Sequence, residues 1–555
     1  MSVRDEVGSF EPGTLAMLVL MVGAGGAGVA LVAGLRVWAW ITASALPAGV
    51  GPLLRAVAGG QVPLTAGVWA CVVAVALCVL LVVVVARRVF GMGRGTRADK
   101  AASRTGRAAD TRALSTRAVA RKARRLGVQG GGIGLPIGRA VAGGRPLWSS
   151  FEDVCLMIAG PRTGKTTSWV VPRIFAAHGA VVATSNKRDV VDVTRQQRST
   201  RGRVWVFDPQ GLADEPQTWW WNPLSYVTDA VKARAMTEAF VDATRDPKAQ
   251  SNAFFDSASR DLVAALLLAA ARGNRPLGEL HRWLNDQSDA EPVRLLRQAG
   301  EVRTAETLEG TQALVPETRS GVYGGAATIM SFLLNEQAMA WVTPSPWVEE
   351  LRPERFVAST DTLYLLSQEG PGSASPIVTA LTVAVTEAAL AHARTQPGGR
   401  LACPMLIELD EAANVCRWRQ LPDLYSHFGS RGICVDTILQ SWSQGAQAWG
   451  EAGIRKLWSA SNVAVYGGGV KEKAFLGELS DLIGTHWQDS RQRSYGRQGR
   501  SVSVSTASQQ RPIASVADLQ GLPAGRAWVL ASGSTALLAA LVPYWKNQDT
   551  DGRRG

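Results

Sequence analysis

At 555 residues the chain is too long for one ordinary domain, and three or four units are expected. A net charge of +13 and a pI near 9.8 favour a partner carrying phosphates, nucleic acid or anionic lipid, over an acidic-surface ligand. Six Cys without any C-x-x-C pair argue against zinc or a disulfide framework and for buried cytosolic thiols.

The apolar residues are unevenly spread. No charged residue lies between Glu11 and Arg36, where "GTLAMLVLMVGAGGAGVALVAGL" is long enough to cross a bilayer at about 20 residues per span. A second uncharged run fills the interval from Arg55 to Arg87, centred on "VWACVVAVALCVLLVVVVA". Lipid enforces internal hydrogen bonding and hence a helix, even on this Val-rich stretch. The first run lacks the basic flank of a cleaved signal peptide. Residues 1–88 are therefore expected to form a membrane anchor of two transmembrane helices. Between Arg87 and Arg125 there are 13 Lys or Arg against Asp99 and Asp110, which places this side in the cytoplasm. Both termini then face the cytoplasm, and the loop from about Arg36 to Gln61 faces outward. Residues 89–150 read as a basic linker, suited to lipid headgroups or DNA, that ends in "GVQGGGIGLPIG".

From Phe151 onward the pattern is α/β. Short apolar strands recur at "VCLMIAG", "AVVATSN", "VWVFD", "TLYLLS", "MLIELDE", "ICVDTILQ", "NVAVYGG" and "AWVLAS", mostly separated by helical stretches. Such alternation predicts a parallel sheet covered on both faces. Residues 151–228 and 351–547 are expected to form the two parts of this nucleotide-binding domain. Residues 229–350 interrupt it with helical periodicity and no convincing strand, which predicts an inserted all-α domain. "DSRQRSYGRQGRSVSVSTASQQ" (489–510) reads as a polar surface loop, and residues 548–555 as a polar tail.

The chemistry begins at "MIAGPRTGKTTSW" (157–169), where an apolar strand runs into a phosphate loop and then a helix. The first position of the G-x-x-x-x-G-K-[ST] pattern is Ala159 rather than Gly, where a methyl group fits if φ stays negative. Gly160, Pro161, Arg162, Thr163, Gly164, Lys165, Thr166 and Thr167 form the expected cradle for ATP, with successive N–H groups around the phosphates. Lys165 would reach the β- and γ-phosphates, and the Thr166 hydroxyl would sit on Mg²⁺. "PMLIELDEAANV" supplies the second half. There Asp410 is the carboxylate for Mg²⁺ and Glu411 the residue that polarises the attacking water, while Glu408 is structural. About 245 residues separate Lys165 from Asp410, an interval the helical insert explains. No LSGGQ-like signature precedes Asp410, which excludes an ABC-type ATPase. Asp208 and Gln210 end another strand without an evident role.

In order and spacing, these motifs resemble the type IV secretion coupling proteins, the TraG/TraD-like ATPases of bacterial conjugation. The resemblance runs through "STRAVARKARRLG", "GPRTGKTT", "ATSNKRDV", "VFDPQG", "WNPL", "LDEAANV", "SRGICVDTILQSWSQ" and "RPIASVADLQGLPAGRAWVL". It implies two transmembrane helices followed by an α/β RecA-like P-loop domain with an inserted all-α substrate-recognition domain. The implied function is a homo-hexameric motor in the bacterial inner membrane, its soluble part in the cytoplasm. It would link single-stranded DNA with its relaxase to the type IV secretion channel proteins and hydrolyse ATP to drive transfer. The resemblance further implies that Arg431 approaches a neighbour's γ-phosphate and that Gln440 senses the γ-phosphate. The chain departs from the pattern in its P-R-T-G loop and in ending at "LVPYWKNQDTDGRRG", without the long acidic tail of some members. Substrate docking is then expected on the helical insert. A coupling ATPase for protein effectors only and an FtsK-like double-stranded DNA translocase are the alternatives.

Overall fold

The computed structural model describes residues 30–62, 65–78, 96–105, 111–244, 252–370, 372–495 and 502–547. The chain divides into two compact units, Met1–Thr96 and Arg97–Gly555.

The first unit contains the apolar helices α1 (Ala30–Ile41) and α3 (Ala66–Cys78), with α2 (Val50–Ala58) between them. Leu35, Leu53 and Val68 form its small buried cluster. Helices α1 and α3 approach closely because Gly34 lies against the Val72 backbone and Gly67 against the Trp38 ring, where any Cβ would collide. Each helix covers part of one uncharged run and is shorter than a bilayer requires. The remainder of both runs, residues 1–29, 63–64 and 79–95, lies outside the described residues. Among the described residues a single helix, Ser375–Thr395, is long and apolar enough to span, and it is a mostly buried core helix of the second unit. The stretch expected to be a plain outward loop contains α2.

In the second unit, β1 (Leu135–Ala140) and β2 (Pro146–Ser149) form an antiparallel pair, and β3 (Cys155–Ile158) leads into the phosphate loop. Strands β4 (Val181–Ser185) and β5 (Val204–Phe207) follow. The two-residue strands β6 (Trp219–Trp220) and β7 (Glu349–Glu350) pair in parallel and close the neck of the helical insert. Strands β8 (Thr362–Leu366), β9 (Met405–Leu409), β10 (Ile433–Leu439) and β11 (Val463–Tyr466) complete the nucleotide-binding half. Strands β12 (Thr485–Tyr495) and β13 (Val502–Pro512) form a separate two-stranded arm, and β14 (Arg526–Ala531) and β15 (Leu537–Ala540) return to the sheet.

The main sheet has 11 strands in the order β2-β1-β15-β14-β11-β3-β10-β9-β4-β8-β5. From β11 to β5 all neighbours are parallel, as alternation of strand and helix predicts. The expectation of a purely parallel sheet is corrected on the other edge. There β14 joins β11 antiparallel, and β15, β1 and β2 continue antiparallel. Strand β1, "LPIGRA", hid from sequence reading because Pro136 and Gly138 are poor strand residues, and the ladder is irregular between them. The polar segment 489–510 also differs from the loop expected of it, since residues 485–495 pair with 502–512 in regular register. Its "SVSVST" has the β-branched alternation that a strand needs.

The insert comprises α6 (Ala230–Thr244), α7 (Ala253–Arg272), α8 (Glu279–Asn285), α9 (Glu291–Gln298), α10 (Val302–Gln312), α11 (Pro316–Ile329) and the short α12 (Glu336–Ala340). Helix α7 is central, with Leu262, Val263 and an unbroken buried run from Ala265 to Ala270. Asn252 caps it by accepting from the Phe255 N–H. The apolar side of the insert merges with one face of the sheet in a single core that includes Leu156, Val182, Phe240, Leu267 and Ile377.

Candidate functional site

Strand β10 lies between β3, which leads into the phosphate loop, and β9, which is followed directly by Asp410 and Glu411. All three run parallel, with Leu439 opposite Ile158 and Thr437 opposite Leu409, so their C-terminal ends meet at one edge. The ligand crevice of an open α/β sheet lies at that edge.

Ala159 is fully buried and donates its N–H to the Leu439 carbonyl (2.9 Å). Its methyl group fits because Gly467, on the neighbouring segment, has no Cβ; one added there would approach the Ala159 Cβ to 2.8 Å. Gly160 donates to the Gly468 carbonyl (2.8 Å), and a Cβ on Gly160 would lie 2.3 Å from the Gly469 oxygen. The run Gly467–Gly469 is thus the bed on which the phosphate loop rests. The tripled glycine after the strand "NVAVYGG" is the sequence signal for this bed, one that the phosphate-loop motif does not include. Arg162 (φ 60) and Gly164 (φ 86) turn the loop through left-handed conformations, with Pro161 and Arg162 exposed at its apex. Thr163 donates to the Gly160 carbonyl (2.8 Å) and Thr167 to the Gly164 carbonyl (3.2 Å). The helix behind the loop opens with a π turn, Thr166–Val170, before α5 (Val171–Ala176). Such turns are frequent at functional sites.

The structure brings five of the expected residues together. Lys165 Nζ donates to Glu411 Oε1 (2.8 Å), and Gln440 Nε2 donates to Glu411 Oε2 (2.7 Å). The Thr166 hydroxyl lies 3.4 Å from Asp410 Oδ2, while Asp410 Oδ1 is buried without a partner. Burial pushes the Asp410 carboxyl up to about 6, against the opposing pull of Lys165 and with the aid of the Glu411 charge. Thr184 on β4 fixes the strand end by donating to the Asp410 carbonyl (2.9 Å). An orphaned carboxylate oxygen beside a hydroxyl fits a hard cation with oxygen ligands, as expected of Mg²⁺. Glu411 itself is held at φ 56, a left-handed conformation that costs a non-glycine residue on the order of 1–3 kcal/mol.

Arg431 is placed elsewhere. It ends the short 3-10 turn before β10, half-buried, and donates to the Gly399 carbonyl (2.9 Å). Arg431 and Gln440 flank opposite ends of the seven-residue β10, so more than about 20 Å separates them at about 3.3 Å per residue. Asp208 takes a structural role: its carboxylate accepts from the Leu212, Ala213 and Glu215 N–H groups (2.7, 2.8 and 3.2 Å). Gln210 accepts from the Gln368 N–H (2.7 Å), tying together the ends of β5 and β8.

Beneath the site is a buried ionic cluster that motif reading missed. Arg173 on α5 makes a two-point contact with Asp436 on β10, including Nη2 to Oδ1 (2.9 Å), and also donates to Ser149 Oγ (3.0 Å) and the Pro136 carbonyl (3.2 Å). Its guanidinium stacks over Trp169, 4.5 Å from the ring centroid. Burial, the largest influence, opposes the Arg173 charge, but the pull of Asp436 together with Cys155 and Glu408 outweighs it and raises the guanidinium. Glu408 is pushed well above the ordinary carboxylate range, by burial first and the Asp436 charge second, which favours its protonated form. Asp436 inside the apolar "ICVDTILQ" was the visible anomaly. The cluster binds the P-loop helix to the strand that carries Gln440.

Comparison with known proteins follows the same lines. Residues 404–524 match the family described as the TraM recognition site of TraD and TraG. No curated protein sequence matches significantly. The chain is similar in fold to the bacterial conjugative coupling protein TrwBdeltaN70 in its unbound form, at 16% identity and TM-score 0.53, covering 72% of this chain and 87% of that one. TrwB in complex with ADP and Mg²⁺ matches at 15% identity and TM-score 0.52, over 72% and 88% of the two chains. TrwB with the ATP analogue ADPNP matches at 15% and 0.52, over 71% and 86%. The resemblance to TraG/TraD-type coupling proteins therefore holds in sequence over 404–524 and in fold over most of the chain.

Proposed function

We propose that this chain is the membrane-anchored ATPase coupling protein of a type IV secretion or conjugation system. It joins single-stranded DNA with its relaxase to the secretion channel and drives transfer by ATP hydrolysis. The observation that carries this reading is the convergence of Lys165, Thr166, Asp410, Glu411 and Gln440 at one sheet edge, within a TrwB-like fold whose residues 404–524 match the coupling-protein family.

The loop from Gly160 to Thr167 would hold ATP, with its backbone N–H groups and the helix N-terminus offered to the phosphates. Thr166 and Asp410 would hold Mg²⁺, which when bound neutralises charge on the β- and γ-phosphates. Lys165 leaves Glu411 for the phosphates, and the freed Glu411 accepts the proton of the attacking water. Gln440 already touches Glu411 and so orients it from the strand between the two motifs. In a homo-hexamer, Arg431 acts on the site of an adjacent subunit. The anchor lies in residues 1–88 in the bacterial inner membrane, and the basic linker meets the cytoplasmic face. By the description of the matching family, residues 404–524 also offer a surface for a TraM-type partner protein.

The test is Lys165→Ala in the full chain. ATP turnover and DNA transfer are abolished while the protein stays in the membrane fraction; normal transfer by this variant would refute the motor.

A further inference from the structure

Glu411 does not end the hydrogen-bonded chain at the nucleotide site. Gln440, which donates its side-chain amide to Glu411, donates its backbone N–H to Gln444 Oε1 (2.8 Å). Gln444 Nε2 donates to Asn414 Oδ1 (2.8 Å), and the Asn414 N–H donates to the Glu411 carbonyl (2.8 Å). The four residues close a ring. Two of them lie on the segment from Glu411 through α13 (Ala412–Val415); Gln440 lies on the turn into α14 (Trp442–Ala460) and Gln444 in its first turn.

Beyond the ring lies a trough of about 790 Å³, lined among others by Asn414, Gln444, Arg417, Arg419, Trp449 and Asp242. Asp242 belongs to α6 of the insert and accepts from the Arg419 backbone N–H (3.0 Å). The stretch 411–419 thus begins at the ion pair with Lys165 and ends at a hydrogen bond to the insert. Helix α14 contributes Gly450, whose φ of 74 breaks the helix at the trough wall.

We propose that Gln444 is a positioning residue for hydrolysis, holding the Gln440–Glu411 pair in register with segment 411–419 and so carrying the state of the nucleotide site to the helical insert. The role rests on the ATPase reading above. When Lys165 moves to phosphate, Glu411 loses its cation, and the neutral amides of Gln440 and Gln444 are what remain to set its direction. Gln444 is suited to this because one side chain both accepts from the Gln440 backbone and donates to Asn414. A residue that merely capped α14 would need only the acceptor, and Ser441 already caps it through the Gln444 N–H (3.2 Å).

The experiment compares unaltered chain, Gln444→Ala, Gln444→Glu and Gln447→Ala for ATP turnover, for binding of a fluorescent ATP analogue, and for thermal stability. Glu retains the acceptor but loses the donor, and adds a negative charge near Glu411. Both Gln444 variants are expected to lower kcat by about tenfold or more, the scale of one lost 1.4 kcal/mol interaction, while analogue Kd changes by less than about threefold. Gln447→Ala, which lines the trough outside the ring, leaves kcat within about twofold. An unchanged kcat in Gln444→Ala overturns the positioning role. A fall in kcat matched by an equal loss of affinity, or by a comparable fall in Gln447→Ala, overturns it too, because that marks general damage. Absence of turnover in the unaltered chain overturns the ATPase reading along with it.

Discussion

Glu411 carries three constraints at once: a left-handed backbone, the ion pair with Lys165, and the hydrogen bond from Gln440. Its strain is local and is held by packing, since Glu411 and Lys165 are both buried. In this arrangement the carboxylate that should activate water instead neutralises the lysine that should bind phosphate. Under the proposed function, ATP would remove the conflict by giving Lys165 a more highly charged partner, which would link binding and activation through one residue. Glu411→Gln keeps the size of the side chain while removing the base and one of the two oxygens that accept from Lys165 and Gln440. Turnover falls at least about 100-fold, within the range a positioned general base supplies, and nucleotide binding persists. Steady-state hydrolysis set beside analogue binding checks this, and turnover within about tenfold of the unaltered chain would deny Glu411 the role of base. Lys165, Thr166, Asp410 and Glu411 were legible in sequence because each follows an apolar strand at a fixed offset. Gln444 and Asn414 were not, since an amide pair bridging 30 residues leaves no local pattern.

At the scale of elements, the phosphate loop depends on a segment some 300 residues away. Ala159 and Gly467 share the space of one methyl group: the first has a Cβ and the second does not. Gly467→Ala therefore forces the loop off its bed and weakens both nucleotide affinity and stability. Adding Ala159→Gly restores the missing space, so the double variant recovers most of the loss. A double-mutant cycle on thermal stability and analogue affinity shows coupling of about 1 kcal/mol or more, and additive effects would mean the two residues do not compete. A second contact between elements is tuned by protonation. Asp242 on α6 is pushed up to about 7, mainly by burial, with Glu238 adding to the rise and the Arg419 N–H, the Arg419 charge and Arg260 opposing it. An unfolded Asp releases its proton near 3.8, so as pH rises the unfolded chain ionises first and folding loses stability between about 4 and 7. Asp242→Asn keeps the acceptor for Arg419 and removes the cost of the charge. Its Tm clearly exceeds that of the unaltered chain at pH 8 and differs little below about pH 4; equal shifts at both pH values would place the cause elsewhere. The parallel strands were visible as apolar runs between helices, whereas β1 and β15 gain their strand character only from neighbours in the sheet.

For the whole molecule, the decisive feature is that β10 joins two functional ends. Gln440 leaves its C-terminal end toward the chain's own nucleotide site, and Arg431 precedes its N-terminal end on the far side of the sheet. The spacing of Arg431 from the other motifs was readable in sequence, but its separation from them in space was not, because that requires the direction of β10 in the sheet. A rigid seven-residue strand cannot bring Arg431 back to its own Glu411. If Arg431 acts in catalysis, it acts on another copy, and the active unit is an assembly in which each interface combines one subunit's Lys165 and Glu411 with another's Arg431. Two inactive variants then complement each other. Lys165→Ala lacks a working loop but offers an intact Arg431, and Arg431→Ala offers the reverse. Mixed at equal amounts, they form interfaces that hold both groups, and a substantial fraction of turnover returns; an arginine finger is worth about 10³–10⁵ in kcat, so recovery stands well above either variant alone. Turnover should also rise more steeply than protein concentration, since dissociated subunits lack the arginine. Full activity in Arg431→Ala alone, or no recovery on mixing two variants that still assemble, would show that each nucleotide site works with its own residues only.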